Sequence, residues 1–201
     1  MKAVDREIAE LALFPLNTVL FPSGLLPLRI FEQRYVAMMK ACLKENALFG
    51  VCLIREGREV GNPALPAEVG CLAEIRDWEM PQLGLFSIIA RGTRRFRLVD
   101  RAVRADSLAL ARALPLAEEQ DAPVPGEFAE CVNVLKTVLE RVGPQAIDGA
   151  ARFDSSVWVS ARLAEFLPLP LAEKQALLEL DSGPDRLARV RDSLLRAGLA
   201  R

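Results

Sequence analysis

The chain contains no histidine. That removes the one side chain whose ordinary pKa places proton transfer near neutrality, and with it the usual Ser-His and Cys-His catalytic arrangements. Ser–Lys and paired-carboxylate chemistry remain as formal options. The carboxylates that draw notice are Glu118, Glu119 and Glu173, which fall in a linker and in a first helical turn, where solvation and the helix dipole favour acids. No nucleophile has a recognisable activating base near it in sequence. Lysine is scarce, five against 21 arginines, and the five are Lys2, Lys40, Lys44, Lys136 and Lys174. The arginine excess is read as genomic base composition. No Gly-x-x-x-x-Gly-Lys-[Ser/Thr] occurs, so the chain has no backbone cradle with a lysine for nucleotide phosphates. Cysteines number four, Cys42, Cys52, Cys71 and Cys131, and none forms a Cys-x-x-Cys pair. A zinc site would have to gather scattered thiolates or substitute carboxylates, and the plainer reading is four reduced, buried thiols. No metal and no cofactor are expected. Net charge is −1, so no global field draws the chain to nucleic acid or to an anionic membrane. Residues 1–10 hold three acids and two bases ahead of an apolar run, unlike a secretory leader, and a cytoplasmic location is expected.

What the chain does have is apolar residues, 51% of 201, enough for one large domain or two small ones with real cores. Residues 11–28 are 18 uncharged residues in a row, long enough to raise a membrane span. Pro15, Pro22 and Pro27 would each break such a helix, and Asn17 and Gly24 add turn chemistry. Two buried strands, 11–16 and 25–30, joined by a turn at Phe21-Pro22-Ser23-Gly24, fit better. A helix is expected to open at Phe31-Glu32, with Phe31, Tyr35, Met38, Met39, Cys42 and Leu43 as its apolar stripe. Further strands are expected at 48–54, from Val69 to about Trp78, over 85–92 and 94–99 with a kink or bulge at Gly92, and over 103–113. A loop spans 57–66 and a turn 81–84. Pro115, Pro123, Pro125 and the acidic 118–121 run mark a boundary, after which every segment has helical period. Phe128 to Val142 carries one stripe, Asp154-Ser155-Ser156 caps a second helix ending before Pro168, Pro170 opens a third, and Ser182 caps a fourth with Pro184 in its first turn.

These segments resemble the Lon protease N-terminal (substrate-binding) domain family. That family opens with a Pro-Leu strand, a Phe-Pro turn, a second Pro-Leu strand and a Phe-Glu-x-Arg-Tyr helix start, and residues 14–35 follow the same order. Leu48-Phe49-Gly50-Val51 is similar to the strand after the first helix. Val69-Gly70-Cys71-Leu72-Ala73-Glu74-Ile75 is similar to the family's Val-Gly-Thr-x-Ala-x-Ile, with Cys71 in the usual Thr place. Gly92-Thr93-Arg94-Arg95-Phe96-Arg97-Leu98 is similar to Gly-x-x-Arg-Phe-x-Ile, and residues 167–179 match Leu-Pro-Leu-x-x-x-Glu-Lys-Gln-x-Leu-Leu-Glu. The resemblance implies an α+β fold: a β-rich, PUA-like pseudo-barrel lobe with one helix over 1–115, a linker over 116–126, and an all-α lobe over 127–201. No lysine sits in a context resembling Lon's protease dyad. The resemblance therefore implies a stand-alone N-terminal-domain protein that is not an enzyme and that recognises unfolded or extended, apolar polypeptide, with a separate protease or self-association as further partners and no membrane.

Candidate contact residues are Phe21, Pro22, Leu25, Leu26, Arg29 and Arg34, on the apolar turn and beside a concave surface expected between the lobes. Core packing is the competing reading for the turn, and an ion pair with a carboxylate on a neighbouring strand the competing one for Arg34. A second hypothesis places single-stranded RNA on Arg91, Arg94, Arg95 and Arg97, with Arg101, Arg104 and the interleaved Phe96, since cations with an aromatic suit single strands. Against it, the strip reads equally as a solvated strand face, with Arg95 and Arg97 on one side, Phe96 and Leu98 on the other, and Glu74, Asp77 and Glu79 available to neutralise it. A protease-related hydrolase is the third alternative.

Overall fold

The computed structural model describes residues 7–82, 84–119 and 121–199. Lys2, Leu83 of the expected turn at 81–84, and Gln120 of the acidic run lie outside the described residues; Gly84, the last residue of that turn, has a φ of +83°. The chain divides into two compact units, Met1–Ala117 and Glu118–Arg201.

The first unit holds seven strands and one helix: β1 (Ile8–Leu16), β2 (Leu25–Ile30), α1 (Gln33–Glu45), β3 (Phe49–Glu56), β4 (Leu65–Pro66), β5 (Val69–Gln82), β6 (Leu85–Val103) and β7 (Ala109–Pro115). β1 pairs antiparallel with β7, β7 with β6, β6 with β5 and β5 with β3, and β3 then pairs parallel with β1. The pairings form a ring of five strands. One buried cluster takes members from all five: Leu11 and Leu13 (β1), Cys52 (β3), Leu72 (β5), Phe96 (β6), and Ala111 and Ala113 (β7). Phe96 fits there because two neighbours have no side chain. A Cβ on Gly50 or Gly70 would lie 2.8 Å from the Phe96 ring, and one on Gly70 also 2.5 Å from the Val51 carbonyl oxygen. The second, larger cluster joins Phe14, Phe49, Phe86 and Ile88 to Tyr35, Val36, Met38 and Met39 of α1.

Several expectations are corrected here. α1 begins at Gln33 with Glu32 as its cap residue, so Phe31 precedes the helix and is 56% exposed instead of packing its face. The strand expected to continue past a kink or bulge at Gly92 does so: β6 runs 19 residues, and its register against β5 shifts between Gly92 and Arg95. Val103 ends β6, and a tight turn through Arg104, Asp106 and Ser107 (φ +67°) separates it from β7. The 57–66 loop contributes two residues to β4.

The second unit contains α2 (Ala129–Val142), α3 (Ser156–Phe166), α4 (Leu171–Leu178) and α5 (Gly183–Arg196), with 3-10 turns at Gly126–Phe128 and Pro144–Ala146. The caps read from sequence are present: the Trp158 N–H donates to Ser155 Oγ (3.0 Å) and the Asp185 N–H to Ser182 Oγ (3.2 Å). Of the stretch read as a linker, Leu116 is bonded to the first unit, accepting from Arg94 and donating to the Arg95 carbonyl, and residues from Glu119 on are bonded into the second. Arg186, nearly fully buried, donates to Glu119 Oε1 (2.6 Å) and to the carbonyls of Leu177 and Leu180. Asp121 accepts from Ser155 Oγ and Arg152, and Pro123 bridges Ser155.

Candidate functional site

β2 lies outside the ring and pairs with the first half of β6, whose other side carries β5. This three-stranded ribbon has one face on the α1 core, through Phe86, Ile88 and Ala90. On the other face, cross-strand register lines up Leu25–Arg91–Glu74, then Pro27–Ile89–Asp77, then Arg29–Ser87–Glu79. A cleft of about 560 Å³ sits over the last two rows. Adjacent strands lie roughly 4.8 Å apart, so its walls on β2 and β5 stand about 10 Å from each other. The floor is Ser87 and Ile89. One wall carries Pro27 and Arg29, and the other Asp77 and Glu79, all exposed. The ion pair of Arg91 with Glu74, whose Nε–Oε1 distance is 2.7 Å, closes one end. Pro27 and Ile89 supply the apolar surface of the cleft, while Trp78, 49% exposed and paired with Ile88, stands on the opposite face with its ring 6.0 Å from that of Phe86. The cleft thus offers an apolar strip between a cationic and an anionic margin, built on strands.

The expected contact residues separate. Leu25 and Arg29 are on this face and Leu26 packs toward the α1 core. Phe21 is wholly buried, so it serves the core instead of forming a rim. Its turn is fixed to β6: the Ser23 N–H donates to the Gly92 carbonyl (2.8 Å), and the Gly92 N–H to the Gly24 carbonyl (2.9 Å). A Cβ on Gly92 would stand 2.2 Å from the Phe21 oxygen, which is why glycine occupies that position. Pro22 is half-buried beside it. Arg34 is buried. It pairs with Glu32 (2.9 Å) just ahead of its own helix, not with a neighbouring strand, and donates to the Ser107 carbonyl (3.1 Å). The arginines 91 to 104 do not form one exposed strip. Arg95 is 3% exposed, Arg94 Nε donates to the Leu116 carbonyl, and Arg104 pairs with Asp106, whose carboxyl falls to about 2 through that hydrogen bond. Pro27 and Ile89 were not marked as site residues from the sequence, and Asp77 and Glu79 were noted there only as acids that could neutralise the arginines. Alternation alone marks them as one strand face, but only the β2–β6–β5 register brings them together.

Among the described residues no group of three histidine, cysteine or acidic side chains is arranged to hold a metal. All four cysteines are buried, and burial pushes the Cys52 thiol up to about 12 and the Cys131 thiol to about 11. Among the described residues no helix is long and apolar enough to cross a membrane.

Residues 10–196 match the ATP-dependent protease La (LON) substrate-binding domain family. The chain belongs to this family. Over 92% of its length, this Lon substrate-binding domain superposes on a Lon N-terminal domain protein from Xanthomonas campestris with a TM-score of 0.77 and 32% identity, covering 98% of that structure. The N-terminal domain of the Mycobacterium avium complex Lon protease shares the fold (TM-score 0.66, 91% and 96% coverage) at 19% identity. Among curated relatives, Lon protease 2 of Myxococcus xanthus is 27% identical over 177 residues, which is 84% of this chain. The chain spans about a fifth of the length of that relative, 21%.

Proposed function

We propose that this Lon substrate-binding domain is a polypeptide-recognition module of the cytoplasm that holds extended, apolar-rich segments of unfolded protein and neither hydrolyses ATP nor cleaves peptides. Its ring of strands is read as a PUA-like pseudo-barrel, with a helical lobe following. The observation that carries the proposal is the open cleft on the outer face of β2, β6 and β5, in a domain of a family named for substrate binding. An apolar strip with polar margins suits a chain whose side chains vary, because burial is non-directional while the charged margins orient it. The face rests on hydrogen-bonded strands, so little entropy is lost in ordering it on binding. A single contact surface of this size supports affinities of roughly micromolar, which multivalency through self-association or a separate protease would raise.

The test is fluorescence anisotropy with a library of labelled unfolded peptides on wild type and on an Ile89→Asp, Leu25→Ser variant. Wild type should bind apolar-rich peptides at micromolar concentration and the variant at least tenfold more weakly. Absence of binding to any peptide at high micromolar concentration overturns the function. Equal binding by a variant that melts like wild type overturns the choice of surface. ATP or casein turnover that co-purifies with the protein and disappears on one Ser→Ala change overturns the non-enzymatic assignment.

A further inference from the structure

The ring of strands is open at one end. β5 begins at Val69, opposite Arg97, whereas β6 continues to Val103. A cavity of about 540 Å³ lies at this end, lined by residues 63–66, which include β4, by residues 99–103, and by Leu13 and Ala109. Cross-strand register decides which side chains of β6 face inward there. Arg101 stands opposite Ala111 and Val103 opposite Ala109. Ala111 belongs to the cluster inside the ring, and Ala109 packs against it. Directly opposed residues share a face, so Arg101 and Val103 project to the inner side. Asp100 and Ala102 alternate to the outer side, opposite Arg112 and Leu110. Apart from Asp100 and Arg101, every lining residue is apolar. Val99 and Val103 are left 44% and 60% exposed. Among the described residues the Arg101 guanidinium has neither a hydrogen bond nor an ion pair. The adjacent carboxylate is engaged elsewhere: Asp100 Oδ1 accepts the backbone N–H of Arg101 (2.7 Å), and Oδ2 lies 3.9 Å from Arg112. The Arg101 charge acts on the buried Cys52 thiol of the ring cluster, opposing the upward push of burial on its pKa.

We propose that this open end of the ring binds a small amphiphilic anion, a compact apolar group bearing a carboxylate, with the carboxylate on Arg101 and the apolar body against Val103, Leu65 and Ala109. The cavity sets two demands at once. A guanidinium takes both oxygens of a carboxylate through parallel N–H donors, and beside apolar walls that attraction is less screened than in water. The exposed valines gain from being covered. A neutral amphiphile meets only the second demand, a small bare anion only the first, and a cationic amphiphile is repelled. The volume falls within the range of about 300–1,000 Å³ usual for small-molecule sites, which recur in the mouths of β-barrels. This site goes beyond the polypeptide-binding reading and does not depend on it. The cleft is built on β2, β5 and the first half of β6, and the cavity on residues 99–103 of the same strand. Two sources carry the required chemistry: free medium-chain fatty acids and the apolar C-terminal residue of a polypeptide.

The experiment titrates octanoate, octanol and octylammonium into the full chain, isotope-labelled for backbone NMR. Octanoate should shift the amides of residues 64–65 and 99–103. It should bind with a Kd of roughly 1 mM or below, about tenfold more tightly than either other probe, the worth of one charge-assisted pair. In Arg101→Gln, with its melting temperature checked, octanoate should bind no better than octanol. Val103→Asp, which sets a second anion beside the carboxylate, should abolish octanoate binding. The Ile89→Asp, Leu25→Ser variant of the cleft should bind octanoate as wild type does. Acetylated Leu-Val-Val with a free carboxylate, compared with its amide, separates the sources. Binding of the acid form alone supports chain termini as ligands, and binding of octanoate without either peptide supports free acids. Equal binding of octanoate and octanol, full octanoate affinity in Arg101→Gln or Val103→Asp, or loss of binding in the cleft variant overturns the proposal. So does the absence of octanoate shifts at about 10 mM. None of these outcomes bears on peptide binding at the cleft, which the anisotropy measurement decides.

Discussion

A single added carbon at Gly70 or Gly92 has nowhere to go. Gly70→Ala would press on Val51, Cys52 and Phe96 inside the ring, and Gly92→Ala on the Phe21 carbonyl. Each should cost about 1–3 kcal/mol, the usual range for overpacking, seen as a lower urea midpoint at unchanged slope. An unchanged midpoint would mean the strands can part at little cost. The two phenylalanines near the first turn behave oppositely. Phe21→Ala should cost about 3–5 kcal/mol because that ring is fully buried, whereas Phe31→Ala should fall within about 0.5 kcal/mol of wild type. Equal losses would contradict the assigned burial. The helical stripe was counted from Phe31, yet helical spacing governs only residues inside the helix, and Phe31 lies ahead of its cap. The cysteines carry a pH prediction. The folded-state pKa of Cys52, about 12, stands above the ordinary 9.0. The stability linked to its neutral thiol is thus fully present below pH 9 and is lost as pH rises from 9 toward 12. Urea midpoints from pH 8 to 11 should fall more steeply for wild type than for Cys52→Ala; parallel profiles would show that the thiol does not titrate in this range.

Helix boundaries in the second unit were legible because caps are local. Ser155 and Ser182 satisfy donors three residues away, and three residues suffice to read them. Ser155→Ala should cost about 1 kcal/mol in denaturation, and a change near zero would mean Asp121 or water replaces the cap. Because Ser155 Oγ also donates to Asp121, which Arg152 holds, Ser155→Ala and Asp121→Ala should be non-additive by more than about 0.5 kcal/mol in a double-mutant cycle. Strands were legible as apolar runs, but their partners and ends were not. The irregularity of β6 at Gly92 was legible from the glycine, but only the turn bonded against it shows why a side chain is excluded there. The 104–108 turn escaped notice because neither glycine nor proline marks it: backbone bonds from Arg104 to Leu108 and from Ser107 to Arg104 close it, with the Arg104–Asp106 pair alongside. The same limit applies to the cleft: Arg29 and Leu25 could be picked from one segment, but their companions Asp77 and Ile89 are contributed by strands 48 to 64 residues further along.

At the scale of the whole chain, the bond between Arg186 and Glu119 anchors the beginning of the second unit to its last helix with both partners buried. Glu119→Ala takes a carboxylate away from a guanidinium that is 1% exposed. Glu119→Ala should therefore destabilise that unit by about 3–5 kcal/mol, and a loss below 1 kcal/mol would show that water reaches Arg186. The ring of the first unit has a further consequence, in time rather than in energy. β1 is its earliest strand, and its pairing with β7, for example Ile8 with Ala113, waits for roughly a hundred more residues to be made. At ordinary rates of translation that delay is on the order of five to twenty seconds. Until then Leu11 and Leu13 belong to a strand with a bare edge, emerging from the ribosome with no lid on the future interior. A protein proposed to hold unfinished chains is, for those seconds, an unfinished chain of the kind it would hold.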